Sequence, residues 1–158
     1  MTTTYAIYMK RTKGSIYGVL TFQRVVDGVK DVLFERLPIA SGQYGYLNGG
    51  DQDWITAKSP TPIGKHWLST KREALQMEPK GTPFYVLSSI PGERTIKGPR
   101  GVRRDCGAHF ENHNPGSVGC PVLLHDTEKR EQDTWAFFEA LDALYKQGIK
   151  FVEFNVFF

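Results

Sequence analysis

Apolar and polar residues alternate along most of the first two thirds of the chain, which predicts β-strands. Three early segments, residues 4–10, 16–26 and 29–40, are rich in the β-branched and aromatic residues that strands favour. The dipeptide Asp27-Gly28 separates the second segment from the third, and it tolerates the positive φ angles of a tight turn. The sequence therefore predicts a strand followed by a β-hairpin.

Glycine and proline interrupt this pattern twice, between residues 41 and 65 and again at residues 91–101. These residues break regular strands, so we expect long loops at both places. The segments that follow the first loop, residues 65–70 and 83–90, have the composition of further short strands.

One segment near the end of the chain has the period of a helix. A helix over residues 133–147 is predicted, capped by Asp133 or Thr134, followed by Gly148, and packed through apolar residues that recur at intervals of three and four: Trp135, Phe138, Leu141, Leu144 and Tyr145. Alternation in residues 150–157 predicts a closing strand. The elements together predict a mostly β, β-rich α+β fold of antiparallel sheets with one C-terminal helix, in a single domain spanning residues 1–158.

Composition narrows the classes of function. The chain has 158 residues, and its 20 Lys and Arg are scattered and nearly balanced by 17 Asp and Glu, so we expect no nucleic-acid partner. It has no run of about 18 apolar residues, so we expect no membrane span. The start does not have the pattern of a signal peptide. We therefore expect synthesis in the cytoplasm, with any delivery to the periplasm or cell wall by a signal-independent route.

The segment HFENHNPGSVGC, residues 109–120, holds the candidate chemistry. Cys120 is a candidate nucleophile and His109 a candidate base, with Asn112 placed to orient the imidazole ring. Gly119 and Ser117 belong to the turn before the cysteine, where backbone N–H groups would be free to hold an oxyanion. Free cysteines are also among the most buried residue types, so an inert core thiol is the competing interpretation.

A metal site is a second alternative for the same segment. It is composed of residue types that zinc accepts, in a C-x2-H-x3-H-x6-C run: Cys106, His109, His113 and Cys120. This spacing matches no strong structural zinc pattern.

Two separated parts of the chain resemble one enzyme family. LPIASGQ with SPTPIGKHWLS resembles the strand, turn and TP-x-G element of the YkuD-type L,D-transpeptidases, and HFEN with GSVGCPVL resembles their His-x-x-Asn and Ser-x-Gly-Cys elements. The resemblance covers about residues 33–124. It implies a β-rich sandwich or barrel that uses a cysteine nucleophile, without a cofactor, on the stem peptides of bacterial peptidoglycan.

The resemblance also assigns roles to individual residues. Cys120 matches the family nucleophile and His109 its general base, Ser117 and Gly119 match the turn, and the upstream element is matched by Thr61, Pro62 and Gly64. The chain departs from the family at Val118, where a histidine is usual, and after the cysteine, where an arginine or asparagine is usual. Arg103 and Arg104 are the candidates to bind a substrate carboxylate instead.

The expected function is cysteine-dependent acyl transfer, as in an L,D-transpeptidase, or hydrolysis, as in an L,D-carboxypeptidase or endopeptidase. A non-catalytic binding or structural module of a phage or secretion apparatus, with the same fold, is the first alternative. A small zinc-binding domain is the second.

Overall fold

The computed structural model describes residues 2–43, 60–77, 79–98, 101–111, 116–117 and 119–158. Within these ranges the chain forms one helix and eleven strands, in the order β1 Thr3–Arg11, β2 Tyr17–Val26, β3 Val29–Ala40, β4 Gly64–Ser69, β5 Glu73–Ala74, β6 Pro83–Ser88, β7 Thr95–Gly98, β8 Gly101–Arg104, β9 Gly107–Phe110, β10 Val122–Leu123, α1 Glu128–Lys146 and β11 Phe151–Phe157.

Eight strands form a closed β-barrel. Their order is β4-β11-β1-β2-β3-β10-β9-β6, and pairing of β4 with β6 closes the circle. Strand β5 pairs with β6 outside this circle, and β7 with β8 forms a small second sheet. The prediction of a mostly β fold with one helix and a closing strand is confirmed.

The expectation of antiparallel sheets is confirmed only in part, because two pairs of strands in the barrel are parallel. Strand β11 runs parallel to β1, with Phe154 opposite Ile7, and β10 runs parallel to β9, with Val122 opposite His109. Alternation along a strand reports which side chains face the core and contains no information on the direction of the neighbouring strand. The sequence pattern alone therefore did not reveal the mixed sheet.

The hairpin prediction is confirmed, whereas the second predicted loop is wrong. Asp27 and Gly28 both have positive φ, 49° and 82°, and they connect β2 to β3 with Val26 opposite Val29. The glycine- and proline-rich passage at residues 91–101 was expected to be a loop, but it contains β7 and the start of β8. A strand of four residues is too short to show a clear alternation of apolar and polar positions. In such a segment the glycines and prolines therefore dominate the prediction.

Helix α1 begins earlier than the predicted residue 133. Thr127 is the N-cap, and its hydroxyl accepts a hydrogen bond of 3.1 Å from the backbone N–H of Arg130. The residues of the first turns are polar and mostly exposed, so hydrophobic periodicity does not register them. No helix in the described part of the chain combines the length and the apolar character of a membrane-crossing segment.

The helix packs into the barrel core through three of the predicted residues, Phe138, Leu141 and Leu144, and also through Phe137, which was not predicted. Phe137 meets Phe22 edge to face at 5.9 Å, and Phe138 stacks at a tilt on Tyr85 at 5.2 Å between ring centroids. Burial of each such ring stabilises the fold by about 1.5–3 kcal/mol. Trp135 and Tyr145, predicted on the packing face, are 37% and 40% exposed, because the buried stripe is centred on Phe137 and Leu141.

A candidate cysteine-histidine site

Strand β9 presents His109 on the face of the sheet opposite the main core. Cys106, which precedes the strand, and Ala108 and Phe110 belong to the largest buried cluster, so the alternate residues Gly107 and His109 face the other way. His109 lies opposite Phe84 on β6 and Val122 on β10, and it is 3% exposed. A central position between two strands therefore fixes its backbone.

The ring of His109 is oriented by a backbone carbonyl. Its Nδ1 lies 2.6 Å from the carbonyl oxygen of Phe110, and since a carbonyl can only accept, Nδ1 carries the proton. The ring of Phe84 flanks it at 5.8 Å. This arrangement leaves Nε2 as the nitrogen of the ring that is free to accept a proton.

The turn that precedes Cys120 is locked to a second segment of chain. The hydroxyl of Ser117 donates to the carbonyl of Cys120 at 2.6 Å and accepts from the N–H of Gly42 at 3.2 Å, while the N–H of Ser117 donates to the carbonyl of Gly42. Gly116 has φ of +96°, and a Cβ there would lie 2.2 Å from the Gly42 oxygen. Glycine at 116 is therefore required by both conformation and space.

The upstream element meets the same turn. The buried hydroxyl of Thr61 donates to the carbonyl oxygen of Gly119 at 2.9 Å, and the hydroxyl of Ser41 lies 2.7 Å from that of Thr61. Two buried arginines hold this segment by its carbonyls: Arg11 donates to Thr61 at 3.0 Å, and Arg103 donates to Pro60 at 2.9 Å. The residues adjacent to Cys120 are thus held by a continuous hydrogen-bond network.

The sulfur of Cys120, which is half-buried, accepts a hydrogen bond from the backbone N–H of Gly107. The pKa of Cys120 lies well below the ordinary value of a thiol, and the largest cause is the neighbouring thiol of Cys106. Burial acts in the opposite direction, but the hydrogen bond and positive charge of His109 and the N–H of Gly107, 3.4 Å from the sulfur, lower the pKa of Cys120 further. The site therefore stabilises a Cys120 thiolate.

Cys106 has the opposite character. The neighbouring thiol of Cys120 and burial raise the pKa of Cys106 well above the ordinary value, and the positive charge of Arg103 only partly opposes this rise. The side chain is 4% exposed and packs in the barrel core. Of the two free thiols, Cys120 is the more accessible and the one whose pKa is lowered.

The structure brings together most of the residues expected at the site. Cys120, His109, Ser117 and Gly119 share one contact network. Asn112 lies outside the described residues, as do Val118 and His113.

The two candidate arginines differ from each other. Arg103 is buried, and its charge acts on Cys106, whereas Arg104, the next residue of β8, is exposed. Binding of a substrate carboxylate by either residue stays a prediction.

The proposed zinc ligands do not form a metal cluster in the described part of the chain. No group of three or more His, Cys, Asp or Glu there is arranged to hold a metal ion. His113, one of the four proposed ligands, lies outside the described residues.

Three contributors to the site did not follow from the sequence pattern: Cys106 as the neighbour of Cys120, the N–H of Gly107, and Ser41. The spacing of Cys106 suggested a metal ligand and not a neighbour of the nucleophile. The available signal was the alternation of small and apolar residues through CGAHF, which places Cys106 on the core face of a strand and His109 on the other.

A cavity of about 300 Å³ opens beside the site. Phe84 forms part of its wall and also contacts the ring of His109. Leu75 contributes a further apolar surface, and the charged side chains in the lining are those of Glu73, Arg94 and Asp105. These three charges are joined, since Arg94 forms ion pairs with both carboxylates.

Comparison of the chain with protein-family models, with curated proteins and with solved structures returns no match.

Proposed function

We propose that this protein is a cysteine acyltransferase or hydrolase of the L,D-transpeptidase type, acting on the stem peptides of peptidoglycan. The observation that carries the proposal is the pair formed by Cys120 and His109, in which a half-buried thiol has a lowered pKa beside an oriented imidazole. A thiol that only fills space in a core needs neither hydrogen-bond donors nor a base.

In the proposed reaction, Nε2 of His109 takes the proton of Cys120 and the thiolate attacks an amide carbonyl of the donor peptide. Backbone N–H groups of the turn at Gly119 and Cys120 stabilise the oxyanion. The C–N bond then breaks, the leaving amine receives the proton from His109, and a thioester to Cys120 remains. An acceptor amine gives transpeptidation, whereas water gives hydrolysis.

The proposed substrate class is based on the family resemblance over residues 33–124. It is also based on a contact between the two separated parts of the chain that show this resemblance. Thr61 of the upstream element hydrogen-bonds the carbonyl of Gly119, next to the proposed nucleophile. The cavity beside Phe84 has the size to accept one amino-acid side chain of a peptide, and its proximity to His109 makes it the proposed donor subsite.

Purified protein incubated with tetrapeptide and pentapeptide muropeptides tests this function, with products followed by liquid chromatography and mass spectrometry. We expect cross-linked or trimmed peptides from the wild type and none from Cys120→Ala or His109→Ala. His125→Ala is the matched control, because His125 is an exposed histidine that donates to the carbonyl of Glu111. Ala74→Trp, which fills the cavity, should lower turnover without lowering alkylation of Cys120.

Turnover by Cys120→Ala would exclude the mechanism. If wild-type protein with a fully reactive Cys120 leaves every muropeptide unchanged, the peptidoglycan substrate is wrong, and a non-catalytic module becomes the better interpretation.

A further inference from the structure

Two free cysteines face each other at the site, and two separate backbone contacts hold them there. Cys106 Sγ donates to the carbonyl oxygen of Gly119 at 3.6 Å, one residue before Cys120. In return, the N–H of Gly107, one residue after Cys106, donates to Cys120 Sγ at 3.4 Å. Each sulfur therefore lies beside the backbone next to the other cysteine, and the two chain segments cross at this point.

This crossing places the two cysteines next to each other. The Gly107 nitrogen is two bonds from the Cα of Cys106, so Cys120 Sγ lies within about 6 Å of that Cα. Because each sulfur already lies beside the backbone next to the other cysteine, we expect rotation of the two side chains to bring the sulfurs to the bonding distance of about 2.0 Å.

The two sulfurs differ in their access to solvent. Cys120 is half-buried at the turn, whereas Cys106 is 4% exposed and packs within the barrel core. Cys120 is therefore the more accessible of the two thiols to a dissolved oxidant.

We propose that Cys120 is a peroxide oxidation site and that Cys106 is the resolving thiol that converts the oxidised cysteine into a disulfide. The proposal depends on the nucleophilic thiol of the proposed function but not on any acyl substrate. Hydrogen peroxide is the oxidant.

The chemistry proceeds in two balanced steps. The Cys120 thiolate attacks one oxygen of hydrogen peroxide and the O–O bond breaks, which gives Cys120 sulfenic acid and a hydroxide that takes the imidazolium proton of His109 to form water. The Cys106 sulfur then attacks the sulfenic sulfur, the S–O bond breaks, and the hydroxyl leaves with the thiol proton as a second water. Two electrons pass from the two sulfurs to the peroxide.

The disulfide would have two effects on the protein. It removes the nucleophile, so acyl transfer stops, and it protects Cys120 from irreversible oxidation to the sulfinic acid. A thiol reductant that opens the disulfide restores the free thiolate.

Peptide mapping tests the proposal on the full chain. Reduced wild-type protein is treated with equimolar hydrogen peroxide, the remaining thiols are blocked with N-ethylmaleimide, and the digest is analysed by mass spectrometry without reduction. We expect both thiols to be lost together, with a disulfide-linked pair of peptides that contain Cys106 and Cys120, and full recovery of both thiols after reduction. In Cys106→Ser, which keeps the size and a donor, we expect a dimedone adduct on Cys120 and no disulfide.

Other results would overturn it. Sulfinic acid at Cys120 with Cys106 still free, or disulfide-linked dimers in place of the internal disulfide, would each show that Cys106 does not resolve Cys120. The peptide mapping of the wild-type protein distinguishes these outcomes by itself, even if Cys106→Ser does not fold. Disulfide formation without muropeptide turnover would reject the proposed function and leave this proposal intact, and turnover without disulfide formation would do the reverse.

Discussion

The hydroxyl of Thr61 donates a 2.9 Å hydrogen bond to the carbonyl oxygen of Gly119, the residue before the candidate nucleophile. Thr61 is fully buried, and its own backbone carbonyl is held by Arg11. The contact spans 58 residues of sequence, so it fixes the turn to a distant part of the barrel.

We expect Thr61→Val to destabilise the protein by about 1–3 kcal/mol, because it leaves a buried carbonyl with weaker partners. Chemical denaturation checks the free energy of unfolding. Thr61→Ser keeps the hydroxyl and is the matched control. Equal stability of the Val variant and the wild type would show that the hydrogen bond is not needed to hold the turn.

The pH dependence of alkylation separates the two thiols. The lowered pKa of Cys120 makes it a thiolate at a pH where Cys106, whose pKa is raised, is protonated, so iodoacetamide should modify Cys120 first at neutral pH. Removal of a group that stabilises the thiolate raises the pKa of Cys120 and moves its rate profile to higher pH. At a pH below that pKa, the thiolate fraction, and with it the alkylation rate, falls about tenfold for each pH unit by which the profile moves.

We therefore expect His109→Ala to slow modification of Cys120 at neutral pH and to leave Cys106 unchanged, with a smaller effect from His113→Ala. Mass spectrometry of the labelled peptides gives both rates. The exposed His125 provides the control substitution. A Cys120 rate that is the same with and without His109 would remove the base from the mechanism.

The sequence predicted the parts of this molecule that depend on local chemistry. The Asp27-Gly28 turn, the strand with Val152, Phe154 and Val156 inside, and the apolar stripe of the helix all follow from periodicity and turn preferences. Barrel closure through β4 and β6 could not be predicted, because it depends on pairing between residues distant in sequence. Parallel pairing of β9 with β10 is a property of the same kind.

Only part of the candidate site could be predicted from the sequence, because some of its contacts also join residues that are distant in sequence. Motif spacing identified Cys120 and His109, but the position of Cys106 beside Cys120 requires the crossing of two chain segments. Cys106 has the largest effect of any group on the pKa of Cys120. The motif around Cys120 and His109 did not include it in that role.

Gly116 should not tolerate a side chain. Alanine there would place its Cβ 2.2 Å from the Gly42 carbonyl oxygen in a backbone conformation with φ of +96°. The left-handed conformation alone costs an L-residue about 1–2 kcal/mol, and the clash adds to it. We expect Gly116→Ala to lower the thermal unfolding midpoint and to slow alkylation of Cys120, because the turn must move.

Gly14→Ala is the control for this substitution, since Gly14 also has positive φ, +73°, but a Cβ on Gly14 would meet no atom within 4 Å. It should show the conformational cost without the displaced turn. If the two substitutions have identical effects, the clash between the new side chain at position 116 and Gly42 does not disturb the turn.

The last prediction concerns the hydrogen-bonded contact between the barrel and the helix. Tyr85 on β6 donates to the carboxylate of Asp142 on α1 at 2.7 Å and accepts from Arg72 at 3.1 Å. Burial, and then the hydrogen bond to Asp142, raise the pKa of Tyr85 well above the ordinary 10.0. At neutral pH, Tyr85→Phe should cost about 1–3 kcal/mol of stability, because a hydrogen bond to a charged partner is lost.

The sign of the pH effect follows from proton binding. Above pH 10 the unfolded chain releases the Tyr85 proton while the folded chain keeps it, so the stability that Tyr85 contributes is complete below pH 10 and is lost as the pH rises toward its folded pKa. Denaturation measured from pH 7 to 11 should therefore show a steeper alkaline loss of stability in the wild type than in Tyr85→Phe. Tyr145→Phe, on an exposed ring of the same helix, should change stability at pH 7 by less than about 0.5 kcal/mol. Parallel alkaline profiles for the wild type and Tyr85→Phe would show that the Tyr85 hydroxyl ionises equally easily in the folded and unfolded chains.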